Sequence, residues 1–468
     1  MPRRSVSAPL DFAKVRTDLG VPDAFPPEVE AAAAAAATTA WTHGDDATDI
    51  AFVTIDPAGS RDLDQAMHLE PGTGGAWRVH YAIADVAAFV TAGDAVDVEA
   101  RHRGQTLYSP DLRTPLHPTV LGEGAASLFP DQDRPSFLWT IDIDAQGVTT
   151  AVDLRRATVR SRAQFDYVGV QAQIDAGQPH PSIAGFGAVG AALLANARER
   201  DAIDLGLPEQ DVVAGPDGHW TVELRSPLPC ETWNAQVSLL TGRAAADLML
   251  KAGVGILRTL PPADPNQVAY LRRASKGLGV HWADGQSPGD VVAALDASDP
   301  KQAAFIDLAA ELLRGAAYTA FDGTPPAQPF HAGVGAAYAH VTAPIRRLCD
   351  RFGLEASLAA ATGAPLPAWV RDALPTLPAE MAVTDHQAKA LDRAMVDLTE
   401  AFLLQDRVGE TMAAAVVESG PKYGTVVIDE PAVRARCDGA HLPLGDRIQV
   451  RLTQADTDTR TVRFERVT

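Results

Sequence analysis

From about residue 410 onward the chain reads as five short runs, TMAAAVVES, GTVVIDE, AVRARCDG, DRIQVRLTQ and TRTVRFERV, parted by turn residues. Short runs rich in β-branched residues and bounded by Gly, Pro, Asp and Asn are strands. Five of them in about 60 residues are the pattern of a small OB-type barrel. The 468-residue chain is therefore more than one domain. What precedes the barrel must close a core of its own.

That preceding part changes character twice. Residues 11–40 read as helix, turn and helix: DFAKVRTDLG, VPDAFPP, then the alanine-rich EVEAAAAAAATTA. They form either a packed helical start or a helix-turn-helix with an alanine-rich recognition face. From about residue 46, strand-like runs follow: DIAFVTID, AWRVHYAIADVAAFV and SFLWTIDIDAQGVTTAVDLRRATVRS. Long amphipathic helices are expected next: PSIAGFGAVGAALLANARERDAI, ETWNAQVSLLTGRAAADLMLKAGVGIL and DPKQAAFIDLAAELLRGAAY. The reading is an α+β chain in three parts. Residues 1–45 are a helical segment, 46–405 a large domain of mixed sheet and packed helices, and 406–468 the barrel.

Composition narrows the function classes. No uninterrupted apolar window is long enough to cross a membrane, and the basic start MPRRSVSAPLDFAK lacks the apolar centre of a signal peptide. The three cysteines, Cys230, Cys349 and Cys437, lie far apart without metal-ligand spacing. A cytoplasmic monomer without disulfides or zinc is expected. The net charge of -20 argues against a nucleic-acid binder unless a local basic channel exists. Of the 40 basic residues only six are lysines. Arginine suits bidentate phosphate contacts, and codon usage would explain the excess equally well.

Four stretches carry candidate chemistry. In TIDPAGSRDLDQ, Asp56 ends an apolar run, and Asp62 and Asp64 stand two apart, on one face if extended. Three neighbouring carboxylates repel unless a cation neutralises them, and hard oxygen ligands suit Mg²⁺. A solvated acidic turn is the plainer alternative. In AHVTAPIRRLCDRFG, Thr342 can cap and Pro344 open a helix whose first turn carries Arg346 and Arg347, a plausible phosphate site. The alternative is a helix start whose arginines pair with acids such as Asp350. In RHRGQTLYSPDLRTPLHP, Tyr108 could stack a base or simply fill a core. In DLRRATVRSRAQF, Arg155, Arg156, Arg160 and Arg162 make a basic strand, either a nucleic-acid contact or a charged edge that deters aggregation. His340, four residues before Pro344, could face a phosphate but is better read as a structural hydrogen-bonding histidine.

Taken in order, TIDPAGSRDLDQA, IADVAAFV, RGQTLYSPD, SLFPDQDRPSF and TAPIRRLCD resemble the ribonuclease II family, the RNB-type exoribonucleases, over about residues 46–405. The resemblance implies hydrolysis of single-stranded RNA from its 3′ end to nucleoside 5′-monophosphates, with one or two Mg²⁺ ions, Mn²⁺ being an alternative. It places Asp56, Asp62, Asp64 and Gln65 on the metal, with Asp62, Asp64 and Arg346 catalytic. Tyr108 would hold the terminal nucleotide. Arg346, Arg347, Asp392, Arg160, Arg162 and Lys422 in the barrel would be further RNA contacts. Several positions depart from the family pattern. Gln65 stands for a fourth Asp, Ala343 for a Ser, and Asp392 for a Glu. The helix ETWNAQVSLLTGRAAADLM lacks the acids and Asn at the positions where the family has them. The roughly 45 residues before the sheet cannot hold the two cold-shock barrels of larger members, so an RNA entrance open to structured RNA is expected. An RNA binder with an impaired centre is the alternative that Gln65 motivates. A phosphodiesterase of small nucleotides would leave the barrel without a role.

Overall fold

The computed structural model describes residues 10–41, 44–203, 209–214, 220–225, 227–296, 299–428, 430–431 and 433–467. Its centre is a six-stranded mixed sheet in the order Asp45–Asp46, Thr149–Asp166, Phe52–Asp56, Gln65–Pro71, Trp77–Ala84, Asp133–Ile143. The last strand also pairs antiparallel with the first part of the long strand Thr149–Asp166, whose final part runs parallel to Phe52–Asp56. The sheet therefore bends back on itself.

Side chains alternate along a strand, and here both faces are covered. Val53, Met67, Tyr81 and Trp139 pack on one side with Val189, Val237 and Leu354. These partners lie on the helices Phe186–Glu199, Pro229–Ala252 and Leu348–Thr362. Phe52, Ala66, Ala82 and Leu138 face the other side, where Val29 and Ala33 of the alanine-rich helix Pro27–Ala37 close the layer. Burial on both faces explains why VHYAIA reads as a nearly continuous apolar run. The first helix, Phe12–Asp18, docks elsewhere, with Phe12 and Val15 against Leu391 and Met395 of the long helix Leu377–Leu404. The two N-terminal helices thus serve as packing on different elements.

Two stretches expected to be wholly helical change state. After Pro229–Ala252, Gly253 takes the left-handed conformation (φ 75°) and ends the helix, and Val254–Thr259 continues as a strand. Likewise AAELLRGAAY leaves its helix at Ala310 and, past Gly315, enters the strand Ala317–Asp322. The two strands pair antiparallel. Glycine is the residue that tolerates such a left-handed exit.

The tail closes as a five-stranded barrel in the order Thr411–Ser419, Tyr423–Ile428, Val433–Asp438, Thr461–Arg466, Arg447–Asp456. Ala401 and Leu404 of the long helix complete its core beside Val416, Val426, Leu452 and Phe464, so barrel and helix share one cluster. Among the described residues no helix is long and apolar enough to cross a membrane.

Candidate active site

The strand Phe52–Asp56 leaves the sheet at Asp56, and a turn through Pro57 and Ser60 reverses the chain. On the way back Leu63 is fully buried, its amide donating to Ser127 Oγ at 3.0 Å. With Leu63 anchored inward, its neighbours Asp62 and Asp64 reach a common cavity of about 1240 Å³, although the segment is not a strand. Asp56, Gln65, Tyr108, Arg113 and Arg346 line the same cavity.

The three acids differ in how far the protein satisfies them. Asp62 is ion-paired to Arg113, whose other nitrogen reaches Glu123 at 2.5 Å. Asp64 is 3% exposed; one oxygen accepts from the Ile345 amide at 2.7 Å. Its other oxygen is buried without a hydrogen bond, 3.5 Å from Arg346 Nε. Burial pushes the Asp64 carboxyl well up, against the pull of Arg346 and the Ile345 amide. Asp56 Oδ2 is also buried without a partner. Burial raises the Asp56 carboxyl to about 7, opposed by Arg346 and reinforced by Asp62. Two orphaned carboxylate oxygens on residues that line one cavity, beside a third acid, are a fitting donor set for a hard divalent cation.

Gln65 opens the next strand, and its amide oxygen accepts a hydrogen bond from the Tyr81 hydroxyl. Tyr81 is fully buried, so the amide is held from behind by the core. The oxygen keeps one free lone pair for a cation and brings no charge.

The TAPIRR stretch is not the expected helix start. The helix begins at Leu348, with Arg347 at its cap position. Residues 342–347 form a turn whose polar groups are already taken. Thr342 shares a hydrogen bond with Ser238 at 2.8 Å, and the Ala343 amide donates to Asp350 Oδ2 at 2.8 Å. The Ile345 amide is held by Asp64. Arg347 is bound at 2.8–3.2 Å to Asp350, away from the cavity, as the plainer reading of this stretch has it. Arg346, with 42% of its side chain exposed, is the arginine the turn offers to the cavity. His340 is structural in its contacts: its Nδ1 lies 2.7 Å from the Tyr318 hydroxyl, and burial lowers its basicity.

The remaining candidates scatter. Tyr108 stands 53% exposed on the small hairpin Leu107–Tyr108 with Arg113–Thr114, at the cavity. Arg160 is paired to Asp133 at 2.7 Å, and Arg162 donates to the Thr48 carbonyl. Arg155 pairs with Asp45 and Asp153, and Arg156 with Asp85 and Glu355. The basic strand is thus largely neutralised, and since it has neighbours on both sides it is not an edge. Asp392 does not line the carboxylate cavity. It borders a separate one of about 510 Å³ with Asp211, Asp397 and Glu400. Lys422 is exposed in a barrel turn.

The site also contains residues that sequence reasoning passed over. Arg113 and Glu123 balance Asp62. Tyr167 lines the cavity, and its hydroxyl accepts from Asn234 Nδ2 at 3.0 Å. Single residues such as these carry no spacing signal; only the sheet geometry assembles them.

Comparison with known proteins gives the family and the fold. The RNB domain model matches residues 45–352, and the RNase II-type exonuclease C-terminal S1 domain model matches residues 410–467. Ribonuclease R of Escherichia coli (strain K12) is 37% identical over 125 residues, 27% of this chain and 15% of that protein. The chain spans between 15% and 56% of the length of the first curated relatives it matches. The structure of Mycoplasma genitalium RNase R in complex with ribose methylated single-stranded RNA superposes with a TM-score of 0.86 at 19% identity, covering 98% of this chain and 78% of that one. Yeast Ssd1, described as a pseudonuclease, superposes with a TM-score of 0.69 at 15% identity, over 87% of this chain and 52% of its own. With its RNB domain spanning well over half of the sequence, the chain belongs to the RNB-domain, ribonuclease II family.

Proposed function

We propose that the chain is a Mg²⁺-dependent 3′-to-5′ exoribonuclease that degrades single-stranded RNA to nucleoside 5′-monophosphates. The observation that carries this reading is the pair of orphaned carboxylate oxygens on Asp56 and Asp64, beside Asp62 and Arg346 in one cavity. A divalent cation there supplies positive charge and an acidified water. Asp56, Asp62 and Asp64 hold it, with Gln65 as a neutral fourth donor. Arg346 grips the scissile phosphate, and its guanidinium meets the charge that grows on the phosphate oxygens during in-line attack. Tyr108 offers an open aromatic face for the terminal nucleotide. The RNA 3′ end thus sits at the acids and the rest of the strand leaves through the cavity. Mn²⁺ in place of Mg²⁺, passage of structured RNA and a monomeric state belong to the same proposal.

A second reading is an RNA-binding protein without turnover. It is favoured by Gln65, whose oxygen is engaged by Tyr81 and adds no charge to the site. One experiment separates the two: a 5′-labelled single-stranded RNA is incubated with Mg²⁺, with EDTA, and with Asp64→Asn. Stepwise shortening with monophosphate release, abolished by EDTA and by the variant, is the expected result. RNA that is retained by the protein but stays intact with Mg²⁺ and with Mn²⁺ favours the second reading. A hairpin with a short 3′ overhang, digested in parallel, reports whether structure is passed.

A further inference from the structure

Interior arginines in this chain commonly have an acid at hand: Arg351 has Asp97, Arg434 has Asp307, and Arg347 has Asp350. Arg200 and Arg243 do not. Neither has a carboxylate within ion-pair distance among the described residues, and the Nε of each is buried without a hydrogen-bond partner. Arg200 follows the helix Phe186–Glu199 at its C-cap, and Arg243 lies within the helix Pro229–Ala252. The buried Asn196 side chain joins them. Its Oδ1 accepts from Arg200 Nη1 and, at 3.4 Å, from Arg243 Nη1. The second terminal nitrogen of Arg200 reaches the Val334 carbonyl at 3.4 Å, near the limit of a hydrogen bond. Arg198, exposed and likewise without a carboxylate partner among the described residues, stands beside it. Both Arg198 and Arg200 line the cavity that holds the catalytic acids.

Burial disfavours a charged guanidinium, and repulsion between the two neighbours adds to the penalty. Together these lower the Arg200 pKa to about 10, which leaves it cationic at neutral pH. The negative end of the preceding helix offsets only part of this. Asp247, one helical turn on, offsets part of the Arg243 charge without forming an ion pair with it. Arg198 and Arg200 therefore open on the cavity as guanidinium donors without a carboxylate partner among the described residues, matching the forked geometry with which arginine binds phosphate.

We propose that Arg200, with Arg198 beside it and Arg243 behind it, forms a second phosphate subsite that holds an internal phosphodiester of the RNA, on the 5′ side of the bond at the acids. The proposal rests on the exoribonuclease reading for the direction of the strand. A free phosphate would satisfy the same donors. The internal linkage is favoured because the acids and the arginines share one continuous cavity, and a strand with its 3′ end at Asp64 must cross it.

The test is RNA binding in EDTA, read by fluorescence anisotropy. Oligonucleotides carry one neutral methylphosphonate linkage, walked upstream from the 3′ end. With the wild-type chain, one linkage several positions upstream should weaken binding about tenfold, the size expected for a lost charge-assisted contact. In Arg200→Gln the same linkage should have no further effect, and the slope of log affinity against log salt should fall by about 0.7. The exposed Arg273→Gln should keep both the position effect and the slope. The linkage walk on the wild-type chain stands even if Arg200→Gln fails to fold. A walk with no sensitive upstream position, or one equally sensitive in a folded Arg200→Gln, overturns the subsite. Inorganic phosphate that displaces RNA at low millimolar concentration from wild type, with no linkage dependence, assigns the donors to a free anion and also overturns it. Wild-type protein that binds no RNA overturns the functional reading itself, a result distinct from the other two.

Discussion

Asp56→Asn removes a carboxyl that burial holds at about 7. Raising an aspartate from its ordinary 3.8 to that value disfavours its ionisation by about 4 kcal/mol at and above neutral pH. The folded state binds this proton more tightly than the unfolded state does. In the absence of a cation, the stability from this group is therefore fully present below about pH 4. It falls by about 1.4 kcal/mol per pH unit as pH rises, and levels off once the folded carboxyl ionises near pH 7. Asparagine has no charge to desolvate. The unfolding free energy of wild type, measured against Asp56→Asn in EDTA, should thus drop by about 2 kcal/mol between pH 5.5 and 7, with little further change to pH 8.5. Thermal unfolding followed by circular dichroism across this range gives the gap. Millimolar Mg²⁺ at pH 8 should then raise the wild-type midpoint, because a bound cation relieves the same penalty, and raise the variant's much less. A gap that stays constant from pH 5.5 to 8.5 would refute the reasoning, since it would mean that Asp56 carries no buried charge.

Gln65→Asp adds a fourth carboxylate, so Mg²⁺ affinity by titration calorimetry should rise about tenfold, while the midpoint in EDTA at pH 8 should fall; unchanged affinity would mean that the amide does not face the cation. Arg113→Gln leaves Asp62 and Glu123 without their shared partner and should destabilise the fold by about 3 kcal/mol in EDTA, with part of the loss recovered in Mg²⁺ by denaturant titration. Tyr108→Ala should weaken binding of a short single-stranded RNA by about tenfold, the size of one base–aromatic stack, and leave the unfolding midpoint within about a degree because the ring is 53% exposed; a large drop in the midpoint would mark Tyr108 as structural.

The barrel was legible because turn residues part its five short strands, which is local information. So were Asp56, Asp62 and Asp64, which share one loop. The end of the helix at Gly253 and the strand after it were not. AGVGIL continues an apolar helical pattern, and only pairing with Ala317–Asp322 decides between the two states. The role of Arg347 was misplaced for a related reason. At the start of a helix Arg346 and Arg347 would be equivalent phosphate ligands. In the observed turn, Asp350 captures one and leaves the other to the cavity. Arg113, Tyr167 and Arg200 come to the acids from stretches far apart in the sequence, and no pattern in any one stretch marks them.

On the proposed function net charge is a poor guide, for a physical reason that the ion pairs make plain. The chain carries an excess of acid overall, yet the arginines of the strand Thr149–Asp166 are largely matched to nearby carboxylates. Such matched charges contribute little field beyond a Debye length of about 8 Å at physiological salt. What a strand of RNA would meet in the cavity is set by the charges least matched. Among the described residues these include the carboxylate of Asp56, beside Asp64 and its partner Arg346, at one place and the guanidinium groups of Arg198 and Arg200 at another. On that reading the acids, once ionised, repel RNA until a cation covers them, whereas the arginines attract it without any bound metal, less strongly as salt rises. Binding and turnover should therefore separate. On the proposed function, RNA should be held without metal by the arginines and the barrel, and cut only when the cation converts the acidic end from a barrier into a site.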